Sequence, residues 1–223
     1  MSSEMKPIPL TLIVAATPSH AIGRSSALPW RLPKEMAYFA RVTKGEQPEQ
    51  DGLNAVIMGR KSWEGIPERW RPLQGRINVV VSRQDTFDLG DAPHSHLASS
   101  LPSAVSLLSS IPSTPISPTP PKLNRTFLIG GAQLYSHGLT IPHPSYTADR
   151  ILLTRLKTDF SDCDAFLPPV PSATKGEWKQ ASHKELCEWV GWEVPEGDRT
   201  EKDRTGGGDV VYEFQMWTRE SRA

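Results

Sequence analysis

Asn54-Ala55-Val56-Ile57-Met58-Gly59-Arg60-Lys61-Ser62 is an apolar run that gives way at once to two cations and a hydroxyl. Its first six residues are short, continuous and apolar, which predicts a strand buried on both faces. Ile77-Asn78-Val79-Val80-Val81 repeats the pattern, with Ser82-Arg83 directly after it. Two core strands thus deliver basic and hydroxyl groups at their carboxyl ends, where open α/β sheets bind ligands. The guanidinium fork of arginine suits a phosphate. Two converging clusters favour the extra phosphate of NADP over plain NAD, whereas either cluster alone also suits a solvated strand end.

Other segments read outward from these strands. Upstream, Leu10 to Ala16 is a third buried run, followed by a Gly-containing polar loop, Ser19 to Ala27, which reads as flexible and lid-like. Downstream, Thr126 to Gly131 is a strand ending in Gly130-Gly131, and Ala132-Gln133-Leu134-Tyr135 then opens a helix. Paired glycines let backbone N–H groups approach a pyrophosphate at a helix N-terminus. The dinucleotide fingerprint G-x-G-x-x-G is missing, so a dinucleotide must be held differently from a standard Rossmann domain. Ile151 to Leu156 is a further strand, with Thr154 as a hydroxyl inside an apolar run, and Val210 to Trp217 suits an antiparallel or edge strand. Leu101 to Ile111 has the spacing of a short helix, and Trp178 to Trp189 reads as strand or mixed.

Leu28 to Phe39 is the stretch with chemistry. Pro29 and Pro33 stiffen it, and Pro33 is well placed in the first turn of a helix. Glu35 then shares a face with Phe39 and lies next to Met36. A carboxyl held against apolar walls has its pKa raised, as a general acid requires. The same glutamate also suits a first-turn acid complementing the helix dipole.

Composition narrows the classes. The 223 residues carry 25 basic and 25 acidic side chains, and this balance argues against a nucleic-acid or anionic-membrane surface. Cys163 and Cys187 have neither metal-site nor redox spacing, so no metal is expected. No apolar run is long enough to span a bilayer, and the expectation is a cytoplasmic protein. The segment near 112–122 is dense in Pro, Ser and Thr, and that near 193–208 is charged and Gly-rich. Both read as exposed insertions in one domain spanning 1–223.

In order and spacing these residues resemble dihydrofolate reductase of the eukaryotic type. The carriers are Ile13-Val14-Ala15, Ile22-Gly23, Leu28-Pro29-Trp30, Glu35 with Phe39, and Val56 to Ser62. They continue with Ile66-Pro67, Pro72 to Arg76, Ser82-Arg83, Ile129 to Gly131, Tyr135 and Thr154-Arg155. The resemblance implies a single α/β domain with a mixed, mainly parallel central sheet, flanking helices and an antiparallel C-terminal strand. It implies a monomer that reduces 7,8-dihydrofolate to tetrahydrofolate with NADPH, serves one-carbon metabolism and binds antifolates. Alternatives from other classes are an NADPH reductase of a pyrimidine or riboflavin precursor, and a silent nucleotide-binding module.

By the same resemblance Glu35 would hold the pterin and support its protonation, Thr154 would brace that carboxylate, and Trp30 would help hold an ordered water. Ile13, Met36, Phe39, Ile66 and Leu73 would form the apolar slot, with Arg76 on the glutamyl α-carboxylate. Val14, Leu28, Ser62, Ile129 and Tyr135 would complete the substrate contacts. Ala15, Ile22 and Gly23 would face the nicotinamide. Arg60, Lys61, Ser62, Ser82 and Arg83 would hold the phosphates. Gly130 and Gly131, joined by a cis peptide, would take the pyrophosphate, and Gly59, Ala132, Gln133, Leu134 and Tyr135 would surround it. Three departures stand out: Met36 where many relatives have an aromatic residue, Trp70 where vertebrate relatives have a small polar one, and Ser99 where an arginine sometimes helps bind the 2′-phosphate.

Overall fold

Continuous apolar runs become strands, and two of the helices start at a serine side-chain cap. In chain order the strands are β1 (Ile8–Ala16), β2 (Ala21–Gly23), β3 (Leu53–Gly59), β4 (Arg76–Val81), β5 (Ser95–Ala98) and β6 (Leu123–Gly130). They continue with β7 (Tyr146–Leu156), β8 (Ala165–Phe166), β9 (Trp178–Gln180), β10 (Arg199–Asp203) and β11 (Gly208–Arg219). The helices are α1 (Pro33–Lys44), α2 (Arg60–Gly65), α3 (Leu101–Ser109), α4 (Ala132–Thr140) and α5 (His183–Val190). This computed structural model describes residues 7–46, 52–111, 122–140, 143–168 and 178–219. The Pro-rich segment, apart from Lys122, lies outside them.

Two compact units are formed, Met1–Thr11 with Thr43–Ala148, and Leu12–Val42 with Asp149–Ala223. In the first, β6, β3, β4 and β5 run side by side and parallel. Ala55 to Met58 on β3 and Ile77, Val79 and Val80 on β4 are all buried, as continuous apolar runs require. In the second, β10, β11, β7 and β1 are neighbours in that order. There β11 runs antiparallel to β10, β7 and β9. The expected α/β class holds, with a mainly parallel sheet, flanking helices and an antiparallel C-terminal strand.

The starts of α3 and α5 follow local chemistry. Ser100 and Ser182 cap α3 and α5 through reciprocal capping boxes with Ser103 and Glu185. α5 ends at Gly191, whose φ of 86° is the left-handed cap that glycine provides without a Cβ penalty.

Two expectations are corrected. Residues 193–208 are not simply an exposed loop. They contain β10, whose Glu201 and Asp203 are 9% and 2% exposed. Alternate residues of this strand point inward, and their charge hides the alternation. The loop Ser19–Ala27, read as lid-like, is tied to distant parts of its own unit. Ser19 donates through N–H and hydroxyl to Asp159 at 3.0 and 2.6 Å. Ser25 N–H donates to Asp164, and β2 pairs with β8.

Candidate active site

In the second unit the acid sits on the first turn of α1. Glu35 is 6% exposed, and the Thr154 hydroxyl on β7 donates to its Oε1 at 3.0 Å. Burial pushes the Glu35 carboxyl up to about 7. The Thr154 hydroxyl pulls the other way, and the Glu201 carboxylate adds to the rise. Trp30 lies in a cluster with Leu32, Leu156, Val210 and Tyr212, its ring 5.2 Å from Phe160. Its buried indole N–H has no protein partner among the described residues, so it has a donor left for a water or ligand.

The flanking residues differ in depth. Ile13 and Val14 are buried, and Ala15 packs on the Trp30 cluster. Ile22 is half-buried and Gly23 buried on β2, where a Cβ on Gly23 would come within 3.3 Å of Ala165 Cβ. Phe39 is half-buried, while Leu28 and Met36 are 43% and 44% exposed. The acid is therefore dry while apolar side chains near it in sequence face outward.

Thr154→Val retains the side-chain shape and removes the hydroxyl bond. It is expected to raise the Glu35 pKa by about one further unit, read by carboxyl ¹³C titration. An unmoved titration would show that the hydroxyl does not support the ionised form.

The first unit carries the cationic and glycine groups. Gly130 has a φ of 122°, and the Gly130–Gly131 peptide is cis. A Cβ on Gly130 would sit 3.4 Å from the Tyr135 ring, and one on Gly131 would sit 3.4 Å from Ser62 Oγ. A Cβ on Gly59 would sit 3.7 Å from Gly131 N, so β3 and the glycine pair end side by side. This cradle, which side chains would fill, opens at the start of α4 and fits a pyrophosphate. Around it, Leu134 and Tyr135 are buried, Ile129 and Ala132 half-buried, and Gln133 exposed. Lys61 and Arg83 are exposed and form no ion pair among the described residues. Arg60 is engaged by Glu64 at 2.8 Å, an exposed pair that an incoming phosphate can displace at small cost. Ser82 is buried, and its Oγ accepts the Gln84 N–H at 3.0 Å.

Arg76, also in this unit, is 8% exposed. Its Nε donates to the Gln74 carbonyl at 3.1 Å and its Nη1 to Thr43 Oγ1 at 2.8 Å. Burial lowers its pKa to about 10, and no carboxylate of the described residues pairs with it. A buried guanidinium with no counter-charge is a site for an anionic ligand. Its position depends on Asn78, fully buried, which accepts the Leu73 N–H and donates to the Leu73 and Arg76 carbonyls. Ile66 and Leu73 are half-buried, and Trp70 is 62% exposed.

Sequence reasoning missed Asn78, Glu201, Asp203 and Tyr212. A lone amide inside Ile77–Val81 was a usable signal for Asn78. The acids of β10 offered only a period-two pattern ahead of a glycine run.

Comparison with known proteins gives the family. The family model for dihydrofolate reductase matches residues 9–188. The chain is 44% identical to the dihydrofolate reductase of Cryptococcus neoformans, over 93% of each protein. It is 45% identical to that of Pneumocystis carinii, over 95% of this chain and 97% of the relative. With that of Candida albicans the identity is 33%, over 96% and 98%. Over both of its units, the chain belongs to the dihydrofolate reductase family.

Proposed function

We propose that this chain catalyses the NADPH-dependent reduction of 7,8-dihydrofolate to 5,6,7,8-tetrahydrofolate, with Glu35 as the acid. The observation that carries the reading is a buried carboxyl with a pKa of about 7, braced by Thr154, in a chain of this family. NADPH supplies the hydride when bound. The protein's part is to hold the pterin, exclude water and supply one proton at the ring nitrogen next to the carbon that takes the hydride.

Glu35 binds the pterin's amino edge and supports that protonation, Thr154 fixes the carboxyl rotamer, and the Trp30 N–H orients a water. Ile13, Phe39, Ile66 and Leu73 enclose the ring, with Met36 as an adaptable wall. Arg76 takes the glutamyl α-carboxylate. Gly130 and Gly131 take the pyrophosphate, and Lys61, Arg83 and Arg60 take the other phosphates. The family match over 9–188 supports a single catalytic domain. The reading extends to an antifolate-sensitive monomer in the cytoplasm, where the free thiols Cys163 and Cys187 would stay reduced.

Loss of NADPH absorbance on adding dihydrofolate to the purified protein tests the reaction, and no loss would overturn it. The acid has its own test. A carboxyl that must be protonated loses its active form as pH rises through its pKa. With that pKa near 7, kcat/KM is expected to be level below pH 6 and to fall about tenfold per unit above pH 8. A profile flat to pH 9 would remove Glu35 from the role.

A further inference from the structure

α1 begins without the usual local cap. Its N-cap residue, Leu32, has no side-chain acceptor, although its carbonyl accepts the first helical bond from Met36 N–H at 2.9 Å. Pro33 has no N–H, so the orphan donors of the first turn are the N–H groups of Lys34 and Glu35. Both go to one distant side chain. Glu201 Oε1 accepts the Lys34 N–H at 2.8 Å, and Oε2 accepts the Glu35 N–H at 3.4 Å. The Tyr212 hydroxyl, on the neighbouring strand β11, donates to the same Oε2 at 3.0 Å.

Two residues further along β10, Asp203 Oδ1 accepts the Arg31 N–H at 2.8 Å, and Arg204 N–H donates to the Arg31 carbonyl. Burial opposes the charge of Asp203, but the Thr205 hydroxyl and the N–H groups of Thr205, Arg31 and Gly207 outweigh it and hold its carboxyl below the usual range. The β10–β11 hairpin therefore grips residues 31–35 at both ends of the turn that carries the acid.

We infer that Glu201 is a positioning residue for the catalytic acid, capping α1 from β10 and fixing where the Glu35 carboxyl lies. The inference rests on Glu35 being that acid. A second carboxylate beside the acid is an unusual support, because an ordinary Ser or Asp cap would come from the preceding residue. The positive end of the helix and the Tyr212 hydroxyl offset its repulsion with Glu35. The groups that face Glu35 are Tyr38 from α1 itself, Thr154 from β7, Glu201 from β10 and Tyr212 from β11. No cation faces it among the described residues. Glu201 therefore does two things, the second of which a neutral cap would not. It holds the helix start, and its charge favours the protonated form of Glu35.

The test compares Glu201→Gln, Glu201→Ala and Tyr212→Phe with the parent and with Glu35→Gln. Glu201→Gln removes the carboxylate but leaves one acceptor oxygen. It is expected to lower the pH midpoint of kcat/KM by about 0.5–1 unit, and the Glu35 carboxyl ¹³C midpoint in the unliganded protein equally. Glu201→Ala is expected to lower Tm by about 2–4 °C and to reduce kcat more than it raises KM. Tyr212→Phe, which removes one of the two donors to Glu201 Oε2, is expected to reduce kcat in the same sense and keeps the question open to measurement where the alanine variant fails to fold. If Glu201→Gln leaves both midpoints in place while Glu35→Gln abolishes turnover, the positioning role is overturned and the acid assignment stands. If Glu35→Gln retains turnover, the underlying assignment fails instead.

Discussion

Glu35→Gln is expected to lower turnover by ~10²–10⁴-fold at neutral pH while leaving NADPH affinity unchanged. The amide keeps the size and part of the hydrogen bonding of the carboxyl but has no proton to give. The groups proposed for the cofactor phosphates lie in the other unit, so their binding has no reason to change. Loss of fold is separable from loss of chemistry. A carboxyl whose native pKa is raised above its unfolded value of 4.5 costs the folded state stability progressively from that value up to the native one, and the penalty is level above it. The native chain therefore loses this stability as pH rises from 4.5 to about 7, and the glutamine variant has no such loss. At pH 8 its Tm is expected to equal or exceed that of the parent. Steady-state kinetics and a thermal melt on the same preparation decide the matter, and near-parental turnover would sink the assignment.

Arg76→Ala is expected to raise KM for dihydrofolate about 10²–10³-fold, with a much smaller effect on kcat. Truncating one partner of a buried charge pair costs ~2–5 kcal/mol. Even with its pKa lowered to about 10, the Arg76 guanidinium is charged at neutral pH. No carboxylate of the described residues offsets that charge, which leaves it for the proposed glutamyl carboxylate to pair with. Arg76→Lys is expected to recover little, because a point ammonium does not reproduce the two-pronged fork. A dihydropterin lacking the glutamyl tail provides the control: it should react equally with parent and variant. An unchanged KM for dihydrofolate would remove Arg76 from the substrate site.

The parts legible in the sequence were those whose physics is local. β3 and β4 are continuous apolar runs, and runs of that kind have few alternatives to a buried strand. Pro33 marks the start of α1 for a reason internal to its own ring. Glu35 and Thr154 drew attention as polar groups in apolar settings, and their contact, made across 119 positions, came from the family resemblance. Glu201 had no such signal. It lies in a charged stretch before three glycines, where a carboxylate looks like any solvated acid, and its partners are 166 and 167 positions away. α5 was blurred within Trp178–Trp189 because β9 and the helix share that short span. Long-range backbone donors leave no trace in composition or period.

The hairpin that caps α1 also bears on how the chain comes off the ribosome. The stretch Leu12–Val42 is made early, yet its partners, β7 from Asp149 on, β10 and β11, are made after the whole of Thr43–Ala148. The acid-bearing segment must wait through most of translation with its first-turn N–H groups met only by water. The parallel strands β3 to β6 have no such delay, since the pairs β3–β4, β4–β5 and β3–β6 all form within one contiguous stretch. A nascent chain stalled before Arg199 would thus hold the parallel strands β3 to β6 but lack the carboxylate that accepts the Lys34 and Glu35 N–H groups, and the first turn of α1 would be capped only with the closing hairpin.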